Sequence, residues 1–300
     1  MGKIAFVFSG QGAQYTGMGR ELYECSPAAK AVFDMADSIR EGTSNQCFEA
    51  DKETLSITVN TQPCVFTADL AAAAAVAEKG IRPDYLAGFS LGEIAALGFG
   101  GVMSYEEAFR LVCKRGELMD KAAKENEGAM VAVMKLTPEK VEELAKQFDS
   151  TYPVNYNSPA QTVVATTKEN ADKLVEAVKA EKGKGVKLAV SGAFHSPFMR
   201  SAAEGLGEYL ADKELKTPEI PIYSNVTAQP YSGDIKQLIK SQAESPVQWQ
   251  KTVENLIAEG VDTFIEVGVG KTLAGLIKKI NKDVRVFNVE NSETLEALNI

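Results

Sequence analysis

The stretch YLAGFSLGEIAALGFG, residues 85–100, decides the fold. Inside it Gly88-Phe89-Ser90-Leu91-Gly92 is a G-x-S-x-G. An apolar run, 85–89, enters the motif, and a helix-like run, 93–97, leaves it. That order predicts a buried strand, a sharp turn and a helix. Such a nucleophile elbow lifts a serine hydroxyl out of the backbone, and flanking glycines leave it room. A helix starting just after Ser90 also points backbone N–H groups at an oxyanion formed there. A serine needs a base, and the chain has one histidine, His195. It lies in Ser191-Gly192-Ala193-Phe194-His195-Ser196-Pro197, after the apolar run 186–190. Small residues, a glycine and a proline predict a loop at a strand end, where functional side chains concentrate. The competing reading of His195 is a satisfied polar residue of that loop.

Composition frames these residues. The chain has 300 residues, 45% of them hydrophobic, which suits one large domain or one domain carrying an insert. Its net charge of −9 argues against nucleic acid as a ligand. Cys25, Cys47, Cys64 and Cys113 are far apart and form no C-x-x-C, so reduced thiols are expected, not a disulfide frame. With one histidine and scattered cysteines, no metal site is expected. The apolar run 4–8 is too short for a signal segment. No run approaches the roughly 18 apolar residues of a membrane span. A cytoplasmic protein is the expectation.

Outward from the elbow, the pattern is α/β. Residues 3–8 read as a buried strand ending in Ser9-Gly10-Gln11-Gly12. Tyr15 stands where a dinucleotide fingerprint needs its third glycine. Gln11 either offers an amide to a reacting centre or sits in a plain tight turn. Helical patterns follow at 19–40 and 63–79, and Ser104-x-x-Glu107 is a capping box opening a helix through about residue 123. Arg115 falls mid-way along that helix's apolar stripe of 108, 112, 115 and 119. A charge there is costly unless an anion meets it; snorkelling or a structural acid partner is the alternative.

Residues 126–190 change rhythm. Strands are predicted at 129–136, 154–156, 162–166 and 186–190, and helices at 137–148 and 168–181, with a turn at Asn157-Ser158-Pro159. That β-α-β-β-α-β order is ferredoxin-like. The expected architecture is therefore an α/β-hydrolase-like large domain, 1–125 and 191–300, with a parallel sheet and the elbow. A ferredoxin-like small domain, 126–190, is inserted in it. The site belongs at their junction, a favoured place for ligands. Beyond it, strands are predicted at 220–224, 263–267 and 284–289, and helices at 248–259 and up to 280. Gly268-Val269-Gly270-Lys271-Thr272 is not a P-loop, because Ile265 stands where its first glycine belongs.

Taken together, the ordered motifs resemble the malonyl-CoA:acyl-carrier-protein transacylases, the family of the polyketide acyltransferase domains. They run from Phe8-Ser9-Gly10-Gln11-Gly12 through Asn60-Thr61-Gln62-Pro63, the elbow with Glu93, and Lys114-Arg115-Gly116. They continue with Asn155-Tyr156-Asn157-Ser158-Pro159, Gly192-Ala193-Phe194-His195-Ser196, Pro246-Val247-Gln248-Trp249 and Glu266-Val267-Gly268. The resemblance implies Ser90 as acylated nucleophile and His195 as its base. It implies Gln11 and the Leu91 N–H as oxyanion hole, and Arg115 as clamp on the malonyl carboxylate. Gln62, Asn157, Gln248 and Phe194 match site-lining positions, with Gln248 orienting His195 and Phe194 crowding an α-methyl branch.

The family usually carries histidine before the nucleophile, where this chain has Phe89. The implied substrate is a coenzyme A thioester, the implied partner an acyl carrier protein, with no cofactor, nucleic acid or membrane. A monomer is expected, although no pattern fixes the oligomeric state. Carrier proteins are acidic, so Lys179, Lys182, Lys184 and Lys187, or Lys278, Lys279 and Lys282, are candidate docking patches, with plain solvated lysines as the alternative. A serine esterase or thioesterase shares the elbow. Those enzymes place an acid and then a late histidine, whereas here residues 196–300 still follow His195.

Overall fold

A computed structural model describes residues 2–300. Its strands are β1 (Lys3–Phe8), β2 (Tyr85–Gly88), β3 (Ala129–Met134), β4 (Tyr152–Ser158), β5 (Gln161–Thr166), β6 (Lys184–Lys187), β7 (Ile222–Tyr223), β8 (Val261–Val267) and β9 (Arg285–Val289). They form a five-stranded sheet, β7-β2-β1-β8-β9, and a four-stranded sheet, β4-β5-β3-β6. Every pairing in the first sheet is parallel and every pairing in the second antiparallel. The chain is thus mixed α/β with two separate sheets.

The near-continuous apolar run of β1 is the signature of a strand covered on both faces. Phe6 and Phe8 enter one core, with the helices Pro27–Ile39, Thr58–Glu78 and Tyr105–Glu125. Ala5 and Val7 enter a second core with Trp249, Val253 and Leu256. Alternation along one strand therefore builds both cores. β1 is central, flanked by β2 and β8, and their carboxyl ends open where Ser9 and Ser90 lie. Ligands of open parallel sheets bind at such ends. Among the described residues no helix is long and apolar enough to cross a membrane.

Several boundaries differ from the pattern. The expected helix 19–40 is two, Arg20–Cys25 and Pro27–Ile39. Ser26 ends the first and caps the second, its Oγ accepting the Ala29 N–H at 3.1 Å with Pro27 at the first turn. The helix expected from Pro63 starts earlier, at Thr58, with Pro63 inside it. A proline this near the amino end removes only one internal hydrogen bond. β4 runs through Asn157 and Ser158, so the turn is shorter than expected. β6 is shifted, ending at Lys187, and Leu188 and Val190 line a cleft instead. The helices Thr43–Glu49, Arg200–Leu210 and Ile235–Gln242 were outside the sequence expectation. The expected capping box is present: Ser104 Oγ accepts the Glu107 N–H and the Glu107 carboxylate accepts the Ser104 N–H.

Candidate active site

Ser90 sits between β2 and the helix Leu91–Phe99 with φ 55° and ψ −111°. A non-glycine residue pays of order 1–3 kcal/mol for such a backbone, which the surroundings must over-determine. They do. The Ser90 N–H donates to Asn225 Oδ1 at 2.8 Å, and the Ser90 carbonyl accepts from Gln242 Nε2 at 2.7 Å. Asn225 Nδ2 donates to the Gly88 carbonyl at 2.6 Å. A Cβ on Gly88 would overlap the Gly92 carbonyl, and one on Gly92 would overlap the Phe8 and Ser9 carbonyls. Both glycines are therefore needed for close approach, not for flexibility.

His195 arrives from the far side of the cleft, its N–H held by the Ala243 carbonyl at 3.2 Å. Its Nδ1 lies 2.9 Å from the Gln242 carbonyl, and its Nε2 lies 2.7 Å from Ser90 Oγ. A carbonyl only accepts, so Nδ1 carries the proton and Nε2 presents its lone pair to the serine hydroxyl. Burial, then the nearby Arg115 cation, pulls the imidazole down to about 4. It is neutral at neutral pH, the state a general base requires.

Arg115, 1% exposed, neither snorkels nor pairs with an acid. Nη1 donates to Gln62 Oε1 at 2.9 Å, and Nη2 donates to Gln242 Oε1 at 2.8 Å and to Ser90 Oγ at 3.2 Å. Burial lowers the guanidinium to about 10, which leaves it charged at neutral pH. All three partners are neutral, so a buried cation faces the serine without a direct counter-ion. Its Nε has no partner among the described residues. The surrounding cleft also exposes Gln11, Phe89, Met119, Met130, Asn155, Leu188, Val190 and Phe194. Apolar walls around few polar groups strengthen each charge inside. Behind Ser90, the Gly92 and Glu93 N–H groups bond to the Phe89 and Ser90 carbonyls, while the Leu91 N–H has no backbone acceptor among the described residues.

A serine hydroxyl held between a neutral imidazole and a buried guanidinium has the geometry of a candidate nucleophile. The sequence matches the family model of the acyl transferase domain over residues 5–295. The chain belongs to the acyl transferase domain family. It is 41% identical to the malonyl CoA-acyl carrier protein transacylase of Bacillus subtilis, over 99% of this chain and 96% of that one. The crystal structure of the Clostridium perfringens malonyl CoA-acyl carrier protein transacylase superposes with a TM-score of 0.94 at 37% identity, covering 98% of this chain and 95% of that one. A malonyl-transacylase solved in complex with a type II polyketide acyl-carrier protein gives 0.94 at 33% identity, covering 98% of both chains.

Within this acyltransferase the structure brings together Ser90, His195, Arg115, Gln62, Gln11 and Phe194. Two expectations are corrected. Gln248 does not orient His195; it precedes the helix Trp249–Ala258, and the carbonyl on Nδ1 is that of Gln242. Asn157 does not line the cleft; Asn155 does. Both share a face of β4, but two residues along a strand carry Asn157 about 6–7 Å further off. Gln242, Asn225 and Asn155 were missed as site residues. Gln242 closes a helix the pattern did not reveal, and Asn225 lies in no recognisable motif. Of the lysine patches, Lys187 is engaged by Asp172 at 2.7 Å, and Lys278 bonds to the Val284 carbonyl.

Proposed function

We propose that this acyltransferase moves a malonyl group from malonyl-CoA to the phosphopantetheine thiol of an acyl carrier protein, supplying fatty-acid or polyketide synthesis. The observation that carries the reading is Arg115: a buried cation 3.2 Å from the nucleophile, with only neutral partners. A substrate carboxylate next to the reacting carbonyl supplies the missing anion, and a guanidinium fork fits it. The names of the relatives and of the carrier-protein complex support the same substrates.

The steps follow from the atoms. The Ser90 hydroxyl proton passes to His195 Nε2 as Oγ attacks the thioester carbon. The Leu91 N–H and the Gln11 amide are proposed to hold the oxyanion. The carbon–sulfur bond breaks, and the coenzyme A thiolate takes the proton back from His195. The carrier thiol then attacks the malonyl-serine ester by the reverse route, a ping-pong scheme. These steps balance without a metal or redox group, so no cofactor is proposed.

The finer architecture belongs to the same proposal. The order β4-β5-β3-β6, with helices Pro138–Ala145 and Lys168–Ala180, supports a ferredoxin-like small domain at 126–190. The parallel sheet with its elbow supports a hydrolase-like large domain of 1–125 and 191–300. Cys25, Cys47, Cys64 and Cys113 are free thiols, which supports a reducing, cytoplasmic setting.

Intact-mass measurement tests the function. Wild type mixed with malonyl-CoA should gain one malonyl group, and Ser90→Ala should gain none. An adduct that persists on the variant, or a wild type that takes no malonyl group, overturns the reading.

A further inference from the structure

Beneath the elbow, on the face away from the cleft, Glu93 is completely buried. Three donors converge on its carboxylate. The Asn225 N–H reaches Oε2 at 2.8 Å, Gln242 Nε2 reaches Oε2 at 3.4 Å, and the Tyr231 hydroxyl donates to Oε1. The Asn225 N–H and the Gln242 amide nitrogen can only donate, so they favour the ionised form. Its two amide-bearing partners hold the site. Asn225 Oδ1 carries the Ser90 N–H. Gln242 touches all three reacting groups: its Oε1 accepts from Arg115, its Nε2 donates to the Ser90 carbonyl, and its own carbonyl faces His195 Nδ1.

We propose that Glu93 is a positioning residue that switches the Ser90–His195 pair on: ionised, it anchors Gln242 and Asn225 and counters the Arg115 charge, and protonated it releases them. The inference rests on Ser90 as nucleophile and His195 as base, not on the identity of the acyl group. Arg115 has only neutral direct partners, and Glu93 is the carboxylate whose field reaches it. Without that field the imidazolium formed during attack would meet an uncompensated cation. Protonation removes the charge and weakens the bonds from the Asn225 N–H and Gln242 Nε2, which can only donate, and that loosens a network of this kind. The titratable groups facing Glu93 are Tyr231 and Arg115; Asn225 and Gln242 do not titrate. Burial pushes the Glu93 carboxyl up to about 7, so the change falls at neutral pH. Burial and the Arg115 cation hold His195 well below that range, at about 4.

The test reads the pair directly. A fluorophosphonate phosphonylates an activated serine, the serine proton and the fluoride leaving together as hydrogen fluoride, whatever acyl group the enzyme normally carries. Its rate of labelling Ser90 is measured from pH 5 to 9 on the full chain. Wild type should show an acid limb near pH 7. Glu93→Gln, folded by circular dichroism, should label at least about tenfold more slowly at pH 8 and lose the limb. With malonyl-CoA its kcat should fall while KM does not rise, because the substrate carboxylate becomes the main counter-charge of Arg115. Tyr231→Phe removes one donor, which lifts the Glu93 carboxyl further, so its limb should move up by about half a pH unit or more. That variant decides the matter if Glu93→Gln does not fold. A wild-type rate flat across neutral pH, a Glu93→Gln limb like the wild type's, or an unmoved limb in Tyr231→Phe overturns the proposal. Failure of malonyl-CoA to acylate Ser90 would overturn the proposed substrate and leave this test in force.

Discussion

At the scale of single residues, Arg115 separates this site from a simple esterase. Its guanidinium is buried against neutral oxygens and lies 3.2 Å from Ser90 Oγ. Arg115→Ala should cost malonyl transfer roughly 2–5 kcal/mol of binding or transition-state stabilisation. Acetyl-CoA has no carboxylate to pair, so its transfer should hold or rise. The kcat/KM ratio for the two donors in wild type and variant checks this, and an equal fall for both would make Arg115 structural. Phe89 replaces the histidine usual before the nucleophile. Its ring packs edge-on against Trp249, centroids 5.7 Å apart, and its polar contacts are those of its backbone. Phe89→His should therefore keep most malonyl transfer and lose about 0.5–1.5 kcal/mol in denaturant unfolding. A large loss of transfer in a folded variant would give Phe89 a catalytic task.

At the scale of elements, helix ends are held by buried acids as well as by caps. Glu266 of β8 accepts the Leu273 N–H at 3.0 Å and the Ala274 N–H at 2.7 Å, at the start of the helix Thr272–Ile280. Burial outweighs these bonds and raises its carboxyl from an ordinary 4.5 to about 7. The native state then holds a proton that the unfolded chain has released. Wild type must lose stability from this group as pH rises between those two values, and the loss is complete above the higher one. Glu266→Gln keeps one acceptor oxygen and cannot titrate. It should gain on wild type by about 1–3 kcal/mol between pH 4.5 and 7.5. Urea unfolding at both pH values measures the difference; a constant difference would show that Glu266 does not titrate there.

At the scale of the molecule, the four-stranded sheet is tied to the rest of the chain through β4. The Val247 N–H donates to the Val154 carbonyl at 2.8 Å, and the Val247 carbonyl accepts the Tyr156 N–H at 3.0 Å. This short pairing ties β4 to the segment leading into the helix Trp249–Ala258, five residues past Gln242. Val247→Pro deletes the donor and leaves a carbonyl unpaired, at about 1–3 kcal/mol. Ser90 acylation should slow while the far-ultraviolet dichroism stays unchanged. An acylation rate equal to wild type's would show that the tie does not support the cleft.

Local chemistry was legible because it is written in short spans. The elbow needs a strand, two glycines and a helix within residues 85–100, and Ser104 with Glu107 caps a helix from three residues away. The proposed base was legible by count, since one histidine exists, and its Nε2 lies 2.7 Å from Ser90 Oγ. The charge of Arg115 was marked by its place in an apolar stripe, although only the fold settled what meets it. What the sequence could not reveal depends on non-local closure. Gln242 reaches Ser90, Arg115 and His195 at once because its helix is brought under the elbow from 152 positions away in the chain. Its assignment went to Gln248, the polar residue inside a visible motif, because nothing local distinguishes the two glutamines. The same holds for Asn225, which lies in no motif, and for Glu93, whose three donors, Asn225, Tyr231 and Gln242, lie 132 to 149 positions further along the chain. Propensity and periodicity act within a turn or a strand; the partners of a buried polar group are chosen by tertiary packing, which must satisfy each of them.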